Sequence, residues 1–379
     1  MDPVRAIAHF DLDAFFVSVE RLKDSALKDK PLIVGWRSDR GVVAACSYET
    51  RKSGVHSAMP MKQALRLCPQ AIVVPPSRED YSRLSGVVTG IIREEAPLYE
   101  KASIDEFYLD LTGMDKFFGC YTWALRLREK IIRETGLPIS FALSINKLVS
   151  KIATDTVKPN GHIEIPPGTE SAFLAPMAVE KIPMVGPETA LQLHKMGIFT
   201  ILQLSGTPRD TLRTFFGKHG QLLWERSRGI DFSPVVANQE QKSLSSENTF
   251  EEDLRDYALI EEELIRLNRR NAYELRKIGK FTCCVAVKIR YADFETVTRQ
   301  MTVPPVAGDR ETSAYVRELL AKYVERGRPV RLLGVRYTHL SDQGKQLDLF
   351  SQDPVTGALD KALDQLRDRF GDDSVFSAK

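Results

Sequence analysis

Two apolar runs in this chain are interrupted by acids. In AIAHFDLDAFF, residues 6–16, Asp11 stands where a strand-like stretch gives way to a helical pattern from about Ala14 through Lys23. In the second, the segments LYEKAS and EFYLDL flank Ile104 and Asp105 like a tight hairpin, with Asp105 and Glu106 near its apex. Charges in apolar surroundings need an opposite charge, so any fold that buries both runs must supply one. Two divalent cations about 3.5–4 Å apart would do so, and such a pair activates an attacking oxygen and stabilises the leaving oxygen of an in-line phosphoryl displacement. Oxygen ligands suit Mg²⁺. A lone DxD or DE pair, however, is more often a strand-end contact with solvent or a salt-bridge partner.

Three further features bear on that choice. The helix start after Asp11 would present backbone N–H groups near Ala14 to Phe16, which suit an anion such as a triphosphate. Tyr48 and Arg51 in SYETRKSG lie one helical turn apart and could reach one ligand. Lys158 sits beside a Pro-Asn-Gly turn in VKPNG. Arg51 and Lys158 could neutralise phosphate oxygens. Each alone is more often a surface residue; together they imitate a nucleotide clamp.

At 379 residues the chain exceeds what one core usually organises, and two to four domains are expected. Residues 1–170 alternate strand and helix signals, with helices at Trp123 to Thr135 and Asn146 to Asp155, and read as an α+β catalytic domain. After a Pro-rich break at 164–170, residues 171–232 read as short helices punctuated by Pro183, Gly186, Pro187, Gly197 and Gly206. Residues 233–245 lack apolar periodicity and read as a linker. Residues 246–341 carry a long helix at about Tyr257 to Ile278, two alternating runs, a helix near 310–324 and a strand-like VRLLGVRYTHL, in β-α-β-β-α-β order. Residues 342–379 form a tail whose 355–370 stretch reads as an acidic-leaning helix.

Composition, 43% apolar and 27% charged, is that of a soluble folded protein. No run of about 18 apolar residues occurs, so no membrane span and a cytoplasmic location are expected. Five cysteines without a CxxC pair argue against a zinc site or disulfide framework. A net charge of +2 is uninformative, but two acid-free basic runs stand out, one holding Arg276, Lys277, Lys280, Lys288 and Arg290, the other Arg326, Arg328, Arg331 and Arg336. Such runs are usually solvated surface.

The motifs HFDLDAFFVSVE, SYETRKSGVHSAMP, ASIDEFYLDLTG, SINKLVSKIAT and KPNG, in that order, resemble the Y-family DNA polymerases of the DinB, or DNA polymerase IV, group. The resemblance covers residues 5 to 350 and implies a right-hand-like α+β polymerase: a ferredoxin-like palm with small fingers, a helical thumb with a helix-hairpin-helix, and a little finger. It implies template-directed translesion synthesis on primer–template DNA with deoxynucleoside triphosphates, at low fidelity and without proofreading, by a monomer. Carried onto this chain, Asp11, Asp105 and Glu106 hold two Mg²⁺ with the Leu12 carbonyl as a further ligand. Phe15, Phe16, Tyr48, Arg51 and Lys158 bind the nucleotide, with Phe16 as the steric gate against a ribose 2′-OH. Ala58 and Met59 match part of the finger surface over the nascent pair.

IPMVGPETALQLHKMGIFTILQL resembles the thumb hairpin, with Gly186 kept and Met184 where the family usually has glycine. Ala45 stands where many relatives carry a hydroxyl, which implies weaker nucleotide affinity. The basic runs fall on the little finger, where Arg290, Arg331 and Arg336 are expected to grip duplex backbone. Gln346, Leu347, Leu349 and Phe350, in QLDLF, resemble the peptide with which bacterial polymerases dock on the sliding clamp. A nucleotide cyclase, which shares paired palm acids, and a non-catalytic DNA-binding scaffold are the competing readings. The thumb-like and little-finger-like regions weigh against the first and the three intact acids against the second.

Overall fold

The computed structural model describes residues 4–114, 119–237, 240–342 and 354–371, the last segment as backbone alone up to 359. Two compact units divide the chain between residues 239 and 240.

The first unit is built on a five-stranded sheet in the order β5-β6-β1-β7-β8, from β1 (Ile7–Leu12), β5 (Tyr99–Lys101), β6 (Glu106–Asp110), β7 (Ile139–Ser144) and β8 (His162–Glu164). Central β1 runs antiparallel to both β6 and β7 and is buried along its whole length. Its alternation decides what each side chain meets. Ala8, Phe10 and Leu12 enter the main core with residues of α1 (Phe15–Lys23), α4 (Arg78–Glu95) and α5 (Cys120–Thr135), and Phe10 stacks on Phe141 of β7. His9 turns to the opposite side, toward Thr154 of α6 (Lys147–Val157), whose start is capped by Asn146 accepting from the Val149 N–H.

A smaller sheet, β3-β2-β4, joins β2 (Leu32–Gly35), β3 (Val43–Cys46) and β4 (Ile72–Val74) over its own core, and carries α2 (Tyr48–Arg51) and α3 (Met61–Leu67). Beyond residue 165 come five short helices, α7 (Glu170–Leu174), α8 (Pro187–Lys195), α9 (Ile201–Gly206), α10 (Arg209–Phe216) and α11 (Lys218–Ser227). They close a third core with α6. Helix α5 starts three residues before the expected Trp123, at Cys120.

The second unit is the antiparallel sheet β11-β10-β12-β9 with α12 (Tyr257–Lys277) and α13 (Asp309–Tyr323) packed on one face. Its strands are β9 (Ser243–Leu254), β10 (Phe281–Tyr291), β11 (Thr296–Val306) and β12 (Val330–Ser341), which gives the β-α-β-β-α-β order. Helix α14 (Pro354–Phe370) lies against α12 and α13 through Arg276, which donates to Asp364 (2.6 Å) and Asp309 (2.8 Å).

Of the segment expected as a linker, residues 243–245 already belong to β9, and 233–237 lie on the first unit. Val235 is buried with Ile7 and Tyr108, and the Val236 N–H donates to Glu100 at 2.9 Å.

Candidate active site

Cross-strand register brings the acids together. Asp11 pairs with Glu106 across β1 and β6, and the Leu12 N–H donates to the Asp105 carbonyl at 3.0 Å, which fastens the hairpin apex to the end of β1. Ser103 shapes that apex: its hydroxyl accepts from the Asp105 and Glu106 N–H groups and donates to Asp105 Oδ1 at 2.5 Å. Asp11 is only 5% exposed, and burial pushes its carboxyl up to about 7 against the pull of Lys158. The Lys158 Nζ lies 2.5 Å from Asp11 Oδ2; burial disfavours its charge, yet the Asp11 carboxylate keeps it above the ordinary lysine value. Lys151 Nζ donates to both Glu106 oxygens at 2.6 Å.

A second buried carboxylate holds the surroundings in place. Asp13, 1% exposed, accepts from the Asn160 N–H at 2.7 Å, from Ser140 Oγ at 2.9 Å and from the Tyr48 hydroxyl at 3.3 Å. Buried Arg128 donates to the Ile139 carbonyl and to both oxygens of Asn160, so the KPNG turn is clamped from two sides. Gly161 is required there: a Cβ would sit 2.0 Å from the Val157 carbonyl oxygen. This turn presents Lys158. Tyr48 opens α2 behind the Ser47 cap, and the Arg51 guanidinium lies 4.8 Å from its ring centroid. Burial, and next the Asp13 charge, hold the Tyr48 phenol above its ordinary value.

The two phenylalanines after the acid divide. Phe15 is buried in the core, leaving its N–H at the start of α1, whereas half-buried Phe16 stacks on Tyr81 with centroids 4.2 Å apart. Tyr81 is fixed by its hydroxyl donating to Glu20 at 2.6 Å. On the fingers one expectation is corrected. Ala58 is exposed, but Met59 is 3% exposed and fills the core of the small sheet, so it cannot form part of an open roof. Ala45 packs half-buried against the main core.

In the thumb, Gly186 caps α8 ahead of Pro187, and exposed Met184 adopts φ +74°, the left-handed conformation for which glycine is the usual residue. On the second unit, alternation places Lys288, Arg290 and Arg336 on the sheet face opposite the helices, since Val287, Ile289, Val335 and Tyr337 point into the core. Arg290 donates to Thr296, Arg331 lies over the Phe294 ring, and Arg336 is exposed. Arg276, Lys280 and Arg328 from the same basic runs are spent on ion pairs. The QLDLF peptide lies outside the described residues.

Sequence reasoning passed over His9, Asp13, Arg128 and Lys151. One of these left a signal: His9 alternates with Asp11 along the strand-like run.

Comparison with known proteins decides the family. The impB/mucB/samB family matches residues 10–155, its C-terminal domain residues 241–349, and the thumb domain of DNA polymerase iota residues 180–231. The DNA polymerase IV of Dehalococcoides mccartyi is 40% identical over 98% of this chain and 96% of its own. The chain is a Y-family DNA polymerase. Among solved Y-family structures, a chimera of Dbh and Dpo4 superposes with a TM-score of 0.78 at 26% identity, covering 89% of this chain and all of the chimera. An insertion ternary complex of Dbh DNA polymerase reaches 0.64 at 26% identity, over 88% of this chain and 98% of that one. Membership of the Y-family carries DNA-directed DNA polymerase activity and translesion synthesis. No helix among the described residues is long and apolar enough to cross a membrane.

Proposed function

We propose that Asp11, Asp105 and Glu106, with the Leu12 carbonyl, are the ligands of two Mg²⁺ ions that serve nucleotide addition to a primer 3′ end. The observation that carries this reading is the convergence of three carboxylates at the ends of the adjacent strands β1 and β6, each of Asp11 and Glu106 faced by an ammonium. An all-oxygen carboxylate set, with Asp11 buried and a carbonyl beside it, fits a hard dication. When bound, such ions polarise the reacting phosphoryl group and favour the attacking oxyanion.

The side chains supply the rest. Lys158 and Arg51 neutralise triphosphate oxygens, the Tyr48 hydroxyl turns from Asp13 to donate to one of them, and the N–H groups of Phe15 and Phe16 receive the same anion at the start of α1. The Phe16 ring, braced by Tyr81, fills the space a ribose 2′-OH needs and so selects deoxynucleotides. Residues 1–170 act as palm and fingers, 171–232 as thumb, 233–245 as linker and 246–341 as little finger. Gly186 in the thumb and Arg290, Arg331 and Arg336 on the little finger meet DNA phosphates. Gln346, Leu347, Leu349 and Phe350 dock on the sliding clamp, and the enzyme works as a cytoplasmic monomer.

Primer extension with Mg²⁺ and single deoxynucleotides tests the centre. Asp105→Ala/Glu106→Ala lowers the rate by roughly 10³-fold or more, the equivalent of several kcal/mol of lost charge stabilisation, with DNA binding retained. Unchanged extension by that variant removes the assignment.

A further inference from the structure

Of the three tryptophans, Trp123 packs against the main core and Trp224 against the third core, whereas Trp36 is 63% exposed. It stands where β2 ends and the loop to β3 begins, and that loop is tightly held. The Trp36 carbonyl accepts from the Ser38 N–H at 2.9 Å, the Gly41 N–H donates to the Ser38 carbonyl at 3.2 Å, and the Gly41 carbonyl accepts from the Met61 N–H at 2.8 Å. Gly41 is required, because a Cβ there would lie 2.1 Å from the Trp36 carbonyl oxygen. Alternation sets the direction of the indole. Ile33 lies in the core of the small sheet and a Cβ on Gly35 would meet Met61 of that core, while Leu32 and Val34 pack in the main core with residues of α1. Trp36 follows the second set, so it falls on the side of α1 and the active site.

Strand β3 is a ruler between this loop and the nucleotide clamp. Val42 precedes its near end, and Tyr48 and Arg51 follow its far end. Six residues at about 3.3 Å each set Val42 roughly 20 Å from Tyr48, about the width of a base pair with its two backbones. Val42 and Ala44 are exposed along this path, and exposed Ala58 is fastened beside them by its N–H, which donates to the Val43 carbonyl at 2.8 Å. A nucleotide with its phosphates at Tyr48 and Arg51 therefore pairs along β3, beneath these small side chains, with the template strand at the Trp36 end. The same side chains fill the place where the next template base would stack, so that base must turn out there. Arg37 beside Trp36 is exposed, and Asp39, the one acid of the loop, is paired with Lys62 at 3.0 Å, so the loop offers positive charge to a phosphate.

We propose that Trp36 is a stacking platform for the first unpaired template base beyond the templating one, with Arg37 on the phosphate beside it. An aromatic ring takes any base on its face, so this site grips the template without reading its sequence. A base held there is kept out of the nascent pair. The proposal rests on the reading that Tyr48 and Arg51 hold the triphosphate.

The test titrates the whole protein, with the correct nucleotide present, into a fluorescently labelled primer–template that has a dideoxy-terminated primer and a 5′ template overhang of one or two nucleotides. In wild type the second nucleotide is expected to tighten binding about fivefold or more, the gain from stacking one base on an aromatic ring. An abasic second nucleotide gives little of that gain. Trp36→Ala loses it and Trp36→Phe keeps most of it, with nucleotide affinity on the one-nucleotide overhang unchanged in both. A second nucleotide that adds nothing in wild type, that adds as much in Trp36→Ala, or that adds as much when abasic overturns the platform. Arg51→Ala, measured for nucleotide affinity on the one-nucleotide overhang, tests the clamp separately. Weaker affinity there leaves the clamp standing whatever Trp36 does, and unchanged affinity overturns both the clamp and the placement of the template drawn from it.

Discussion

In the proposed reading a single side chain, Phe16, sets sugar selectivity, and the ring it stacks on, Tyr81, holds it in place. Phe16 is only half-buried, so its position depends on the buried ring stacked beneath it. Phe16→Ala is expected to raise ribonucleotide use relative to deoxynucleotide by about a hundredfold, equivalent to roughly 3 kcal/mol of relieved clash. Tyr81→Leu keeps the gate but removes its stacking partner, an interaction worth about 0.5–1.5 kcal/mol, and so relaxes selection by at most about tenfold. Ratios of kcat/KM for the two nucleotide classes check both; equal ratios in wild type and Phe16→Ala would remove the gate. At this scale the acids were legible because charge interrupts apolar runs, a signal that needs no tertiary knowledge. Asp13 was not legible. It stands in the same DLD as Asp11, and only the fold shows that its lone pairs are consumed by Ser140, Asn160 and Tyr48.

Elements bring their own departures from the simplest reading. The thumb turn before α8 forces Met184 to φ +74° with its side chain 67% exposed, so no packing gain offsets the conformation. An L-residue there costs about 1–2 kcal/mol. Met184→Gly is therefore expected to stabilise the protein by about 1 kcal/mol, since glycine's greater unfolded entropy takes back part of that gain. Chemical denaturation followed by a thumb-sensitive probe such as Trp224 fluorescence checks the sign. Most strands and helices could be read from periodicity, because β1, β10 and β12 carry long apolar stretches and α12 a clear amphipathic face. Strand β9 was harder. Its SSENTFEEDL stretch is polar on one face and interrupted by adjacent acids, so it merges into the linker until its pairing with β12 is seen. Met59 was misplaced for a similar reason: a residue beside an exposed turn can still point inward.

For the whole molecule, charge distribution carries more than net charge. Four of the nine basic residues that stood out in sequence, Arg276, Lys280, Lys288 and Arg328, are paired with acids, and sequence alone could not say which, because partners of Arg276 and Arg328 are distant along the chain. Arg290 instead donates to Thr296, Arg331 lies over the Phe294 ring, and Arg336 is exposed. The triple alanine variant should flatten the salt dependence of DNA binding by roughly 0.9 in logarithmic slope for each phosphate that is no longer neutralised. An unaltered slope in a salt titration sinks that assignment. A final consequence follows from the two ammonium groups already seated on Asp11 and Glu106, the carboxylates proposed as ligands. The site carries internal counterions, so its like charges do not have to be held apart by an added metal for the chain to fold. Metal loading and folding are then separate events, in contrast to a structural zinc domain, which unfolds without its ion. A dication held near its dissociation constant adds only about 0.4 kcal/mol, and chelation should move the melting temperature of a chain this long by less than about 1 °C while abolishing catalysis. Differential scanning calorimetry with and without EDTA measures it, and a collapse of the transition would show that the ions are part of the architecture. With its own counterions in place, the chain's folding does not wait on the metal, and only its activity does.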